Sequence, residues 1–438
     1  MPTPLHLLRP DQLSALKQGQ PWLLHSFFAA KPHTAVLAPD GGAAYYGVEQ
    51  ALNTWSLGRA SSLLPPGMYT LATPVDEETH NRLALGWQLG AYRYRRYKSD
   101  AAPALAHLEA PTSPEAAAIN LARDLINTPA ADLPPLALAE AVQALARQYN
   151  AVCSVITGAD LEQQYPLVHA VGRASVAPPC LIDMTWGDRA ATKLTLVGKG
   201  VTFDSGGLNL KTGTSMNLMK KDMGGAAWVL ALAQLIMQAQ WPVRLRVLIP
   251  AAENAVSGAA FRPGDVLKSR KGTTVEIGDT DAEGRLLLAD ALWEAGRENP
   301  ALLLDAATLT GAQRVALGTD LPGFFTNRRP LAEALMTAST AADDPVWELP
   351  LFAGYRSQLD SPIADLCNVG GGGYAGAITA ALFLQEFIPA NVPWVHMDFM
   401  AWNLRDLPGR PVGGEVQGVR AAWGAMAAVL LKNSYGIL

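Results

Sequence analysis

The chain has 438 residues, of which 49% are apolar and 17% charged. This length and composition allow a large buried core and more than one domain, and they exclude a disordered protein. The formal net charge of -5 gives no broad basic field that could neutralise phosphates, so nucleic acid is not the expected partner.

The N-terminal segment lacks the pattern of an export signal, because Arg9 and Asp11 interrupt it before an apolar core of secretory length builds up. The three cysteines are an odd number without C-x-x-C spacing, which is typical of a reducing compartment. The longest apolar stretches, residues 226–237 and 421–431, are shorter than the roughly 20 residues that cross a bilayer. We therefore expect a cytoplasmic location and no membrane segment.

The N-terminal part of the chain contains candidate strands such as residues 34–38, but no cluster of groups that suggests chemistry. Residues 99–114 are rich in Ala, Pro and Ser and have no sustained amphipathic period. We place a domain boundary there. The prediction is a supporting domain over residues 1–105, a linker over 106–114 and a catalytic domain over 115–438.

After residue 115, short apolar segments alternate with helical patterns. The predicted strands are residues 194–197, 244–249, 273–277, 302–305 and 394–397, and the main predicted helices are 223–238 and 286–297. This alternation predicts an α/β fold: a catalytic domain with a largely parallel mixed sheet flanked by helices, after a smaller N-terminal α/β domain. Ligands of such domains usually lie beyond the carboxyl ends of the strands.

Two clusters of charged residues follow two of these strands, in residues 199–222 and 279–285. Their carboxylates are Asp204, Asp222, Asp281 and Glu283. Carboxylates gathered in a cleft repel one another unless positive charge lies between them, and two divalent cations would neutralise these four. The seven histidines show no H-E-x-x-H spacing, so a histidine-based zinc site is not expected. Gly-Lys-Gly at 198–200 lacks the rest of a phosphate-loop pattern.

Several blocks in this part of the chain resemble the leucyl aminopeptidase family of two-metal, M17-type peptidases. The strongest is T-D-A-E-G-R-L at residues 280–286. The other blocks are residues 123–130, 197–207, 222–226, 253–267, 308–311 and 376–381. The resemblance covers roughly residues 115 to 438, whereas the first hundred residues match much less clearly.

The resemblance implies a two-metal site and its catalytic groups. Its metal ligands would be Lys199, Asp204, Asp222, Asp281 and Glu283. An amine ligand requires neutral Lys199 and suits Zn, Mn or Co better than Ca or Mg. Lys211 would stabilise the oxyanion, and Arg285 would hold a bicarbonate that serves as the general base.

The resemblance also implies that the substrates are peptides with free N-termini and that the protein is a homohexamer. Matching pocket positions are Met219, Thr308, Leu309 and Gly311. Two departures from the family put its usual preferences in question. Asp279 stands where asparagine is usual, which adds a negative charge near Asp281, and residues 399–402 are bulkier than usual near the expected wall of the pocket.

The resulting prediction is a metal-dependent aminopeptidase. Two alternatives remain: a DNA-binding regulator, against which the acidic balance argues, and a homologue that keeps the fold without catalysis, against which the intact set of charged residues argues. His396 is interpreted as a core histidine with a hydrogen-bonded ring, outside the site.

Overall fold

The computed structural model describes residues 1–432. The chain divides into two compact units. The first consists of residues 1–120 with 403–412, and the second of residues 121–402 with the described residues from 413 onward. The stretch predicted as a linker, residues 106–114, contains a short strand and the first residue of a helix.

The first unit contains a sheet in which β1 lies between β3 and β4 and is parallel to both. Its strands are β1 (Thr3–Leu8), β2 (Ala35–Leu37), β3 (Ala44–Gly47), β4 (Gly67–Leu71) and β5 (Ala106–Leu108), and its helices are α1 (Leu13–Gly19), α2 (Ala60–Leu63) and α3 (Glu77–Gly90). The strand predicted at 34–38 is confirmed as β2. Leu5, Tyr46 and Trp87 belong to the core, and Asp76 caps α3 by accepting a hydrogen bond from Thr79 N at 2.7 Å.

After β5 the described chain alternates strands and helices as predicted. Its strands are β6 (Val152–Ile156), β7 (Cys180–Trp186), β8 (Thr192–Gly198), β9 (Gly200–Asp204), β10 (Val243–Asn254), β11 (Val266–Lys268), β12 (Thr274–Glu276), β13 (Leu302–Ala307), β14 (Gly323–Thr326), β15 (Trp347–Glu348), β16 (Leu366–Cys367), β17 (Trp394–Asp398), β18 (Trp402–Asn403) and β19 (Gly413–Gly414). Its α-helices are α4 (Pro114–Asn127), α5 (Pro135–Gln148), α6 (Gly158–Gln164), α7 (Pro166–Gly172), α8 (Gly224–Gln238), α9 (Gly284–Arg297), α10 (Gly311–Leu317), α11 (Arg329–Ala341), α12 (Gly376–Gln385) and α13 (Val419–Met426). Within residues 1–432, none of the helices combines the length and apolar content that a membrane span requires.

The main sheet of the second unit has the strand order β15-β14-β17-β13-β8-β10-β7-β6, with β9 beside β10. Strands β17, β13, β8 and β10 are parallel to one another, whereas β7 and β14 are antiparallel to their neighbours in this group. The predicted α/β fold with a largely parallel mixed sheet is therefore confirmed. Helices α8 and α9 pack against the central strands.

One predicted strand lies outside this sheet. Residues 273–277 form β12 as expected, but β12 pairs with β11 and β16 in a separate small sheet. Local composition predicts that residues 273–277 are extended, but long-range contacts determine which strands they pair with.

The parallel central strands bring their carboxyl ends to one edge of the main sheet. Gly198 at the end of β8 pairs with Ala306, and Ala307 at the end of β13 pairs with Asp398. The segments that follow these strands therefore start side by side, as the sequence pattern predicts.

Candidate metal and catalytic site

Lys199 follows β8 directly and lies in a buried position between two carboxylates. Its Nζ is 2.8 Å from Asp222 Oδ2 and 2.9 Å from Glu283 Oε1. A Cβ atom at Gly284 would come within 2.5 Å of Lys199 Cε. Glycine at the first position of α9 is therefore what leaves room for this lysine.

Lys211 lies between Asp204 and Asp281, which belong to the two charged segments 199–222 and 279–285. Its Nζ is 2.7 Å from Asp204 Oδ2 and forms an ion pair with Asp281. The chain turns back after β9, because Gly206 has a φ of +88° and Lys211 N donates to Ser205 O at 3.0 Å. This turn carries Lys211 back to the carboxylate of Asp204.

Three of the predicted ligand carboxylates form one cluster. One oxygen from each of Asp204, Asp281 and Glu283 lies within 4.8 Å of the others. Burial, and then the charge of Asp204, raise the pKa of Asp281 to about 6 and the pKa of Glu283 to about 8. Glu283 Oε2 is buried and has no hydrogen-bond donor among residues 1–432. The cluster therefore has more negative charge and acceptor capacity than its own lysines satisfy, and this fits divalent cations.

Asp222 joins the cluster through Lys199 and is held by Thr308. Thr308 Oγ1 donates to Asp222 Oδ1 at 2.6 Å, and Lys199 Nζ donates to Thr308 O at 3.4 Å. Burial raises the pKa of Asp222, but Lys199 and Lys221 lower it by more, so the pKa lies below its ordinary value. Asp222 is therefore an ionised carboxylate in a buried setting.

Arg285 is the second residue of α9 and has a partly satisfied guanidinium group. Its Nη1 donates to Asn368 O at 2.6 Å, while its buried Nε has no acceptor in the part of the chain that the structure describes. Burial lowers the pKa of Arg285 to about 10, so the group is charged at neutral pH. A buried cation with a free donor is suited to hold a small anion.

Two asparagines that were not among the predicted site residues support these groups. Asn254 Nδ2 donates to Asp204 Oδ1 at 2.9 Å and to Thr280 O at 3.1 Å. Asn368 Nδ2 donates to Asp279 O at 2.7 Å, and the backbone carbonyl of Asn368 accepts the hydrogen bond from Arg285 Nη1. The position of Asn254, the last residue of β10, was the available signal, since polar residues at strand ends often serve a site.

The predicted substrate residues lie at the same edge of the main sheet. Thr308 and Leu309 follow β13, and Gly311 is exposed at the first position of α10. Met219 is buried in the short 3₁₀ turn Met219–Met223 that precedes α8. Thr308 directs its hydroxyl to Asp222, so its side chain supports the cluster. Contact of these residues with substrate stays a prediction.

Asp279, the first departure from the family pattern, is half-buried beside the cluster. Its Oδ1 accepts a hydrogen bond from Asp281 N at 2.8 Å. Its charge contributes to the raised pKa of Asp281, after burial and the larger effect of Asp204. The additional carboxylate therefore makes the cluster more negative, as the sequence indicates.

In the second departure, residues 399–402, Phe399 is buried and only Trp402 is partly exposed to solvent. Phe399 is fully buried and packs against Trp228 of α8, with ring centroids 6.3 Å apart. Trp402 is half-buried, and Lys220 Nζ lies 5.4 Å from the centroid of its ring. The bulk of Phe399 is thus accommodated by the core.

His396 is confirmed as a core histidine. It is fully buried on β17, and its Nδ1 is 2.6 Å from Asp305 Oδ1, whose other oxygen accepts a hydrogen bond from Trp394 Nε1 at 2.7 Å. The three cysteines are all free.

Comparisons with known families match nearly the whole chain. Residues 3–111 match the M17 aminopeptidase N-terminal domain. Residues 120–422 match the catalytic domain of the cytosol aminopeptidase family. Every predicted metal, catalytic and pocket residue lies within the catalytic match.

Individual relatives agree with these family matches. A probable cytosol aminopeptidase of Prochlorococcus marinus is 43% identical over 314 residues, which are 70% of this chain and 64% of the relative, slightly under two thirds of its length. One from Roseiflexus castenholzii is 41% identical over 80% of this chain and 76% of its own.

Solved structures extend the similarity to the fold. The crystal structure of the cytosol aminopeptidase from Coxiella burnetii has 47% identity and a TM-score of 0.95, covering 99% of this chain and 98% of that chain. The bottromycin maturation enzyme BotP in complex with Mn has 34% identity and a TM-score of 0.87, covering 98% and 99% of the two chains. The chain belongs to the cytosol aminopeptidase family, a family of peptide hydrolases.

Proposed function

We propose that this chain is a metal-dependent aminopeptidase that releases residues one at a time from the free N-termini of peptides. The observation that carries the proposal is the cluster formed by buried Asp204 and Glu283 with exposed Asp281, in which Lys199 and Lys211 lie between carboxylates. This cluster lies in the part of the chain that matches the family's catalytic domain.

The proposed metal ligands are Lys199, Asp204, Asp222, Asp281 and Glu283. The unpartnered Glu283 Oε2 and the raised pKa values of Asp281 and Glu283 support their role. Two divalent ions held there would lower the pKa of a bound water and polarise the substrate carbonyl. In the protein alone, burial lowers the pKa of Lys199, but its carboxylate neighbours raise it by more. Lys199 must therefore give up a proton to act as a ligand. We propose Zn, Mn or Co, because all three accept nitrogen together with carboxylate ligands.

Lys211 is the proposed oxyanion-stabilising group. Burial lowers its pKa, but Asp204 and Asp281 raise it by more, so Lys211 carries a positive charge at neutral pH. A positioned ammonium group can donate to the negative charge that develops on the carbonyl oxygen during hydrolysis. Its flexible side chain would leave its carboxylate partners when they bind metal.

Arg285 is the proposed anion-binding group, and its unpartnered Nε supports this role. Bicarbonate bound there would supply the general base. Arg285 itself holds and orients this anion and does not exchange protons at neutral pH.

Asp222 is the proposed acceptor for the substrate's free amino group. It is buried, and its pKa is lowered by Lys199 and Lys221 despite burial, so a negative oxygen is available at neutral pH. A peptide with a blocked N-terminus has only a neutral amide N–H there, which forms a weaker hydrogen bond to a carboxylate than a charged amino group does. Met219, Leu309 and Gly311 would line the adjoining pocket, beside Thr308.

Location is proposed from the relatives' names, and assembly from the family resemblance alone. We propose a cytoplasmic location, which is supported by the word cytosol in the relatives' names and by the free cysteines. We also propose a homohexamer. Light scattering of the purified protein during size-exclusion chromatography tests the assembly, and a mass other than six chains would reject it.

The function is tested with a panel of aminoacyl-anilides and dipeptides, each with a free or an acetylated N-terminus. The purified chain is stripped with a chelator and then reloaded with Mn or Zn. We expect turnover of the free forms only, loss of turnover after stripping, and recovery after reloading. The rates across the panel also rank the preferred N-terminal residue.

The alternatives predict other outcomes. A silent homologue would bind metal without turnover of any substrate. A DNA-binding regulator would shift DNA mobility at low salt, with affinity that falls as salt rises. Equal cleavage of acetylated substrates would reject exopeptidase specificity.

A further inference from the structure

Asp398 is a buried carboxylate at the carboxyl end of β17, next to the segment that follows β13. It is 1% exposed. Its Oδ1 accepts hydrogen bonds from Leu309 N at 2.9 Å and Thr310 N at 3.3 Å, and its Oδ2 accepts one from Thr310 Oγ1 at 2.7 Å. One side chain thus fixes two consecutive backbone amides and a hydroxyl.

The segment fixed by Asp398 connects directly to the cluster. Thr308, the residue before Leu309, donates its hydroxyl to Asp222 and accepts from Lys199 through its carbonyl. Thr310 Oγ1 also accepts from Gln313 N at 3.0 Å, which sets the start of α10. The conformation of residues 308–311 therefore depends on Asp398 on one side and on Asp222 and Lys199 on the other.

We propose that Asp398 is a positioning residue that holds residues 308–311 in the conformation that receives the substrate. The inference rests on the proposed aminopeptidase function. Asp398 acts through its hydrogen bonds to Leu309 and Thr310. Loss of its hydrogen bonds frees the segment and weakens substrate binding before it affects the chemistry.

Hydrogen bonding, not charge, is the basis of this role. The side-chain carbonyl oxygen of an asparagine at position 398 can accept hydrogen bonds from both the Leu309 and the Thr310 amides. Its NH₂ group can donate to the Thr310 hydroxyl, which rotates to accept. Alanine removes all three bonds and takes the acceptor from the partly buried Leu309 amide and the buried Thr310 amide.

The test compares Asp398→Ala with Asp398→Asn in the full-length, Mn-loaded chain. The control is Asp365→Ala, because exposed Asp365 accepts the same kinds of bond, from Thr274 N and Thr274 Oγ1, both at 2.8 Å. The readouts are KM and kcat for the best aminoacyl-anilide and Mn bound per chain. Hydrogen exchange of the Leu309 and Thr310 amides is a readout that does not require activity.

We expect Asp398→Ala to raise KM at least about 10-fold, from the loss of hydrogen bonds to a charged acceptor. It should also accelerate exchange at 309 and 310, with a smaller change in kcat per bound metal. Asp398→Asn should recover most of both effects, and Asp365→Ala should have neither. If Asp398→Ala does not fold, the pair Thr310→Val and Thr310→Ser replaces it, with the KM increase expected for valine only.

Wild-type KM and exchange in Asp398→Ala would overturn the proposal, as would an asparagine variant equal to alanine, which would assign the effect to charge. An inactive wild-type chain would instead reject the proposed function. In that case the exchange measurement still tests whether Asp398 holds the segment.

Discussion

Lys199 Nζ lies 2.9 Å from Glu283 Oε1, and both residues are at least 97% buried. The ammonium of Lys199 here supplies the positive charge that the carboxylates require. If Lys199 and Glu283 are both metal ligands, metal binding must replace this ion pair and release protons from the site. Uptake of metal should therefore acidify a weakly buffered solution, which a pH-stat titration measures.

Glu283→Ala is expected to abolish turnover while the fold is retained, because a proposed metal ligand is lost. We expect metal affinity to fall by at least ~100-fold, the upper range for loss of a supporting residue. Elemental analysis measures the bound metal, and circular dichroism checks that the fold is retained. Glu333→Ala, which removes an exposed glutamate on α11, is the control. Wild-type turnover in Glu283→Ala would reject the assigned site.

Lys211→Ala is expected to lower kcat about 10²–10³-fold with little change in KM, since the ammonium acts on charge that develops only in the transition state. Steady-state kinetics per bound metal measures the effect. Lys211→Arg should keep part of the rate because it keeps the charge. A change confined to KM would assign Lys211 to substrate binding instead.

Arg285→Ala is expected to remove any dependence of the rate on bicarbonate and to lower kcat about 10²–10⁴-fold, as for loss of a general base. Rates are measured in CO₂-free buffer with bicarbonate added back. Arg297→Ala is the matched control, because Arg297 lies on the same helix α9 with an exposed side chain that pairs with Glu294. Equal bicarbonate response in wild type and Arg285→Ala would contradict the assignment.

Asp290 should make stability depend on pH. It is fully buried in α9, accepts from Leu167 N at 2.8 Å and Arg270 N at 2.7 Å, and burial raises its pKa to about 7. Because its folded pKa exceeds the unfolded value of about 3.9, the folded state binds the proton more tightly. The contribution of Asp290 to the free energy of unfolding therefore falls as pH rises from about 4 to about 7, by at most ~4 kcal/mol.

This dependence is measured by urea unfolding of the chelator-treated chain at pH 5 and pH 7.5. The difference in pH slope between wild type and Asp290→Asn isolates Asp290, because all other groups are shared. Identical slopes would show that Asp290 does not titrate in this range.

The buried pair of Arg123 and Glu415 should matter for stability. Arg123 Nη2 lies 2.7 Å from Glu415 Oε2, with side chains 1% and 6% exposed. Glu415→Ala should lower the free energy of unfolding by about 3–5 kcal/mol, because it removes one partner of a buried ion pair. The double variant Arg123→Met with Glu415→Leu should lose less.

Urea unfolding at neutral pH compares these variants with Glu333→Ala. Glu333 pairs with Arg329 on the surface of α11, where loss of a pair costs about 1 kcal/mol or less. A similar small loss in Glu415→Ala would mean that water reaches the buried pair.

The sequence by itself determined the local elements and the chemistry of the candidate site. Apolar runs specified the strands β8, β10, β13 and β17, because burial on both faces leaves a continuous pattern. The order of strand and charged segment placed Lys199 at the end of β8, and parallel strands bring such ends to one edge of a sheet. Asp281 was also predicted to follow a strand, but that strand, β12, lies in the separate small sheet. These properties depend on neighbours in sequence.

Only the tertiary structure decided which groups support this site. Asp398 accepts a hydrogen bond from the amide of Leu309, which is 89 residues away in the sequence. Asn254 donates to Asp204, which is 50 residues away. The membership of β12 in a separate sheet was likewise decided by pairing with β16. Such choices rest on strand register, side-chain direction and the satisfaction of buried polar groups, and these arise only when distant segments pack together.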